Sequence, residues 1–429
     1  MMPHSFRALS MMALALVMPM WGQAAERSSQ PADGVRFQSK VALDIKAKSL
    51  AGPSVQIDEH DIAHVAWMEE DSQGRTVRYA HTPPSGGSLS IPMPVNRPDE
   101  MPYWRQEAPA LEVQGDRVYL VWAKMSPQNL PGTPFANELR LSRSVDGGHT
   151  FLPSALINDD GEPVNHSFDS IRISREGAIH VAWIDGRGGQ KASGTYVSRS
   201  IDHGQTFDKN KKIDDDTCVC CRTSVAIAPD GTLYVAWRKM FGDIRETVVA
   251  RSLDGGMTFS EPVIVGNDRW NYPSCPHRPA SLDVDGDGRV YVVWYTEGED
   301  ETPAIYVAYS DDRGQTFSPK QQLNRSKGTF PDHPQLAVDR RGRVFAIWEE
   351  LSPVRREVVV SYSMDRGHTF SPPHKVNEKK GETPAVAVNA AGQFVLAWKE
   401  QAMPNHRIVL QRVILPEPSS VALMERASP

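Results

Sequence analysis

Cys218, Cys220 and Cys221 fall within four residues, and the remaining cysteine, Cys275, stands two residues before His277. Thiolates beside an imidazole suit soft or borderline ions, so this set is a candidate site for copper or zinc. Cys-x-Cys-Cys is not a zinc-finger spacing, and two other readings compete. Four cysteines is an even number, and Cys220 or Cys221 bonded to Cys275 would form a staple, whereas neighbouring Cys220 and Cys221 have poor geometry for pairing with each other. The thiols are alternatively reactive groups, and one disulfide with two free thiols is a mixture of these readings. Other side chains extend the chemistry. Arg105, Arg222 and Arg278 are of the type that grips a carboxylate in bidentate fashion. Tyr295 and Glu297 are a nucleophile and base by residue type, and His166, His333, Glu107 and Asp332 are titratable neighbours in equivalent positions. Trp104 and Trp270 are candidates for stacking on a sugar ring or, equally, for packing within a loop.

The elements that position these residues repeat. An apolar strand ending in tryptophan recurs at Trp67, Trp122, Trp183, Trp237, Trp294, Trp348 and Trp398, a slot that takes seven of the ten tryptophans. Five units follow it with Ser-x-Asp-x-Gly-x-Thr-Phe, at 144–151, 200–207, 252–259, 310–317 and 363–370. The first unit carries a degenerate version around 85–88, and the seventh has none. Each unit resolves into four short strands, A to D. In the fourth unit they are expected at 224–228, 233–238, 247–252 and 262–265. Four antiparallel strands repeated at this period predict an all-β, seven-bladed β-propeller. The last unit supplies three strands only, so 35–43 is expected to complete it and remove the open edge.

Strand order separates two faces. The short A–B and C–D turns share one face, and the D–A and B–C connections share the other. The cysteines, the arginines and His277 all precede an A strand. Strand A is innermost, so these residues converge on one mouth of the central channel. Asp283-Val-Asp285-Gly-Asp287-Gly begins like a calcium loop but places Trp294 where that loop needs glutamate. It is expected to be an acidic A–B hairpin turn.

The Ser-x-Asp-x-Gly-x-Thr-Phe motif is the Asp-box, or BNR repeat, and through its five copies the chain resembles the sialidase-like superfamily. The resemblance spans nearly the whole chain after the first 25 residues. It implies a propeller, with a six-bladed sialidase type as the alternative to seven blades, and an exo-acting sialidase-type glycoside hydrolase as one function. That chemistry uses three arginines, a tyrosine nucleophile with a glutamate, and an aspartate acid/base. The family's first arginine lies in Phe/Tyr-Arg-Ile-Pro. The nearest text, Val35-Arg36-Phe37-Gln38, departs from it. Arg222 and Arg278, which precede the fourth and fifth A strands, are placed to serve as two of the three arginines, and Arg105 as a third stands in a different blade from the family's.

Composition narrows the partners. With 23% charged and 40% hydrophobic residues in 429, the chain has a globular balance, and its formal charge of −6 disfavours a nucleic-acid partner. Arg7, the apolar run 8–20 and the small residues 22–25 form a cleavable secretory signal, which predicts a periplasmic or secreted protein without a membrane span. The expected domain is 26–415, followed by a flexible tail, 416–429. A small-molecule or glycan ligand, or a protein partner, fits this class.

Overall fold

The computed structural model describes residues 34–103, 108–126, 135–189, 193–325, 328–402 and 405–416. They form seven antiparallel sheets. Blade 1 runs Ser49–Ile57, Ala63–Glu70, Arg75–His81 and Met93–Pro94. Blade 2 runs Ala110–Gln114, Arg117–Met125, Asn137–Ser144 and Ala155–Leu156. Blade 3 runs His166–Ile173, Ile179–Asp185, Gly194–Ser200 and Lys211–Asp214. Blade 4 runs Ser224–Ile227, Leu233–Phe241, Ile244–Ser252 and Val263–Ile264, with Trp270–Asn271 added beside its strand C. Blade 5 runs Ala280–Val284, Val290–Thr296, Ala304–Ser310 and Gln321–Gln322. Blade 6 runs Phe330–Val338, Val344–Leu351, Arg356–Ser363 and His374–Lys375. Blade 7 takes Gly381–Val388, Phe394–Ala402 and Asn405–Ile414 from the C-terminal end. Its outer edge comes from Arg36–Phe37 and Val41–Ile45, both antiparallel to Asn405–Ile414. Inner strands of successive blades touch all round the ring, blade 7 against blade 1 included. The fold is thus the seven-bladed form, not the six-bladed alternative.

The repeated residues explain why the sheets stack. All seven slot tryptophans are buried at 1% exposure or less and fill the space between neighbouring blades. Each indole Nε1 donates a hydrogen bond: to Glu69, Ser142, Asp185, Asp214, Asp268, Glu350 or Glu400 in blades 1 to 7. A buried indole without a partner would forfeit part of its hydrophobic gain. The Ser-x-Asp-x-Gly-x-Thr motif closes the C–D turn identically in five blades. In blade 2, Ser144 Oγ donates to Asp146 Oδ1 at 2.7 Å, Thr150 N donates to the same oxygen at 2.9 Å, and Gly148 N donates to Ser144 Oγ at 2.9 Å. Hydrogen bonds from Thr150 and Ser144 lower the Asp146 pKa to about 2. Gly148 has φ +87°, and a Cβ there would fall 2.2 Å from the Tyr79 ring of blade 1, so glycine lets the turn close against its neighbour.

One expectation changes in detail and another holds. Blade 4 strands B and C run further than 233–238 and 247–252, pairing to Phe241↔Ile244 across a two-residue turn. The B–C connection there is a tight hairpin, so strand ends rather than a long loop carry side chains to that face. Asp285 accepts hydrogen bonds from the amides of Asp287 and Arg289 and from Arg366, which makes 283–288 the acidic turn of blade 5.

Deleting residues 1–45 removes Val35 and Ile45, both buried against blade 7, and bares the edge of Asn405–Ile414. The loss is about 3–6 kcal/mol of hydrophobic burial plus an unpaired strand. The truncated chain is expected to melt at lower temperature and to self-associate with rising concentration in light scattering. A monodisperse truncation with an unchanged melt would refute the closure.

Candidate functional site: a sulphur cluster at the channel mouth

The loop entering blade 4 is held along the end of that blade's strand B. Met240 N donates to Asp216 O at 2.7 Å, Cys218 N to Arg238 O at 2.9 Å, and Thr223 N to Phe168 O at 3.0 Å. This path turns three cysteines inward among Phe168, Ile184 and Met240. Cys218 Sγ lies 3.7 Å from Cys221 Sγ and 3.8 Å from Cys220 Sγ. Cys220 is bonded to Cys275, and Cys218 and Cys221 are buried thiols. The staple therefore joins blade 4 to the segment entering blade 5, with the other two thiols free, which is the mixed reading of the sequence. A His277 ring nitrogen lies within 4.8 Å of the Cys220 and Cys275 sulphurs.

The surroundings of the thiols favour negative charge. Arg238 is 2% exposed, and its Nη2 donates to Tyr295 O at 2.7 Å while Nη1 finds no hydrogen-bond partner among the described residues. Arg245 is likewise buried, with Nε unpaired among them. The Cys221 hydrogen bond, and then these guanidiniums, lower the Cys218 pKa, whereas burial and Cys218 itself raise that of Cys221. The pair thus gives up one proton readily and holds the second.

A second cluster adjoins the first across blades 5 and 6. Tyr295, 2% exposed, donates its hydroxyl to Glu297 Oε1 at 2.5 Å. The Arg278 guanidinium lies 5.1 Å from the Tyr295 ring and pairs with Asp332 at 2.5 Å. His333 Nδ1 sits 3.2 Å from Asp332 and 3.3 Å from Glu349. Burial opposes its charge, yet the two carboxylates raise the His333 pKa to about 9. Arg222 extends toward blade 2, donating to Ala108 O at 2.6 Å. The structure thus brings Arg222, Arg278, Tyr295, Glu297, Asp332, His333 and the cysteines to one mouth. Trp104, Arg105 and Glu107 lie outside the described residues.

Two candidates are corrected. Trp270 is 1% exposed, packs against Tyr272 and Tyr295, and donates Nε1 to Glu297, so its ring offers no face to a ligand. His166 is fully buried. Its Nδ1 donates to Asn137 O at 2.8 Å, and its Nε2 faces Asp160 at 3.0 Å and Asp185 at 3.6 Å. Arg187 grips Asp185 in bidentate fashion, and Asp160 accepts from Asn158 and faces His166, so this buried Asp-His-Asp group ties its own neighbours together away from the channel mouth.

Sequence reasoning missed Arg238 and Glu349. The signal lay in the residue after each slot tryptophan: Met68, Ala123, Ile184, Arg238, Tyr295, Glu349 and Lys399. Blades 1 to 3 are apolar there and blades 4 to 7 polar, so one half of the mouth carries the chemistry.

His166 offers a test of the staple. Burial works against its protonation, but Asp160 and Asp185 raise its pKa above the usual imidazole value. A raised folded pKa adds stability that is complete below the unfolded value of about 6.5 and is lost as pH rises through the folded one. The melting-temperature gap between the native chain and His166→Gln should therefore narrow as pH climbs from 6 upward. A gap that widens or stays constant would refute the charged state.

No protein-family model matches the chain, and no curated protein matches it. Solved structures do share its shape. An ulvan lyase bound to a -[GlcA(1-4)Rha3S]- chain superposes with TM-score 0.58 at 10% identity, over 87% of this chain and 95% of that one. A protein of unknown function from Dyadobacter fermentans gives 0.52 at 14%, over 89% and 100%. A Hadza microbial sialidase gives 0.50 at 15%, over 80% and 74%. At these identities the likeness is one of propeller fold.

Proposed function

We propose that this chain is an exported Asp-box propeller of the sialidase-like kind whose channel mouth binds a soft metal ion, copper(I) or zinc(II), through Cys218, Cys220 and Cys221. The observation that carries the reading is the sulphur spacing. A metal–thiolate bond of about 2.3 Å in tetrahedral geometry sets sulphurs about 3.8 Å apart. Cys218 stands 3.7 and 3.8 Å from its two neighbours, so the loop already holds the edges of such a site. The guanidiniums of Arg238 and Arg245, each with one nitrogen unpaired among the described residues, act on Cys218 and would supply countercharge to a buried metal–thiolate group. Three thiolates with Met240 packed beside them favour copper(I), and zinc would need a fourth ligand, for which Cys275 and His277 stand beside Cys220.

Elemental analysis with thiol counting on the reduced protein tests this. About one equivalent of copper or zinc is expected, with loss of metal in Cys218→Ser and Cys221→Ser. A metal-free protein, or retention by both variants, would overturn the reading.

One observation favours a second reading, an exo-acting sialidase-type glycosidase: the Tyr295–Glu297 hydrogen bond beside Arg278. The burial of Tyr295 counts against it, since a nucleophile must reach its substrate. It requires turnover of a sialyl aryl glycoside that Tyr295→Phe abolishes. No turnover by the native chain eliminates it.

A further inference from the structure

Resting on the metal reading above, we infer that the Cys220–Cys275 disulfide is a lock on the sulphur site, and that a dithiol reductant attacking Cys275 opens it for metal.

The two sulphurs of this bond have unequal access. Cys275 is partly buried, beside the exposed His277, whereas Cys220 is 3% exposed and enclosed by Phe168, Ile184 and the other cysteines. An incoming thiolate therefore meets Cys275 first. The attacking sulphur bonds to Cys275 Sγ, the Cys220–Cys275 bond breaks, and its electron pair leaves on Cys220 Sγ as thiolate. The second thiol of the dithiol then attacks its own sulphur in the mixed disulfide, closing a disulfide within the reductant and releasing Cys275. One dithiol is oxidised and one protein disulfide is reduced. Cys220 needs no main-chain movement to become a ligand, because its sulphur already stands 3.8 Å from Cys218 Sγ. The liberated thiolate also stands beside Cys218, on which the buried Arg238 and Arg245 act, each with a nitrogen unpaired among the described residues. While the bond is closed, Cys220 has no lone charge to give a metal, and only Cys218 and Cys221 remain as thiols. The same bond ties blade 4 to the segment entering blade 5, so the lock and the inter-blade staple are one structure.

The test titrates zinc(II) and copper(I), each against a chromophoric chelator, with the full chain oxidised, the same protein reduced by dithiothreitol and desalted under nitrogen, and Cys275→Ser left untreated. Reduction is expected to tighten binding more than about 100-fold, beyond what loss of an outer partner of a ligand costs. Cys275→Ser should match the reduced native chain without reductant. In a second measurement independent of metal and of that variant, limiting 2-mercaptoethanol is added and the product mapped by mass spectrometry, with the adduct expected on Cys275. Equal binding by oxidised and reduced native protein would overturn the lock while leaving the metal reading standing. Absence of binding in every state would overturn both. An adduct on Cys220 would overturn the proposed route of opening.

Discussion

A four-stranded sheet that is apolar on both faces has no stable existence alone, and every other feature of this chain follows from that constraint. Burying both faces of every sheet demands a closed ring, and a ring built from one chain must end where it began. The strand split between Arg36–Phe37 and Val41–Ile45 meets that demand by completing the last blade. The slot tryptophans are the means of stacking. Each fills the gap to the next sheet, and each spends its one polar atom on a hydrogen bond near the functional face, so packing and polarity are settled by one residue type. The Ser-x-Asp-x-Gly-x-Thr turns do the corresponding work on the opposite face.

With both faces of the blades committed to packing, chemistry is left to the ends of the strands. The mouth where the D–A connections meet is not symmetric. Met68, Ala123 and Ile184 follow the tryptophans of the first three blades, and Arg238, Tyr295, Glu349 and Lys399 follow those of the last four. The polar half holds two adjoining clusters. In one, Arg278, Asp332, His333 and Glu349 neutralise one another. In the other, Arg238 and Arg245, each with one guanidinium nitrogen unpaired among the described residues, act electrostatically on the Cys218 thiol. A buried cation left partly unsatisfied is costly unless something anionic offsets it. Glu246 offsets part of the Arg238 charge, and thiolates at Cys218 and Cys221, held by a metal under the proposal above, would offset more of it.

Much of this was legible in the sequence because the repeat constrains it so tightly. The recurrence of tryptophan at 50 to 61 residues forces the blade count, and the missing strand of the last unit forces the closure. The cysteines were legible as a group because two of their loops enter neighbouring blades. What failed was depth. His166 and Trp270 sit in the same register as mouth residues, but register does not say whether a side chain is turned into the sheet stack. His166 is enclosed by Asn137, Asp160 and Asp185, and Trp270 by Tyr272 and Tyr295. Which cysteine pairs with Cys275 was equally beyond the sequence, since Cys220 and Cys221 are adjacent and only the turn of the loop separates them.

The central claim is that sulphur, not oxygen or nitrogen, surrounds the ligand of this mouth. X-ray absorption at the metal edge of the reduced, metal-loaded protein tests it most directly. The account predicts a first shell of three sulphur atoms at about 2.3 Å. A shell of nitrogen or oxygen at about 2.0 Å would contradict it, because that metal would be held by the histidine and carboxylate side chains instead.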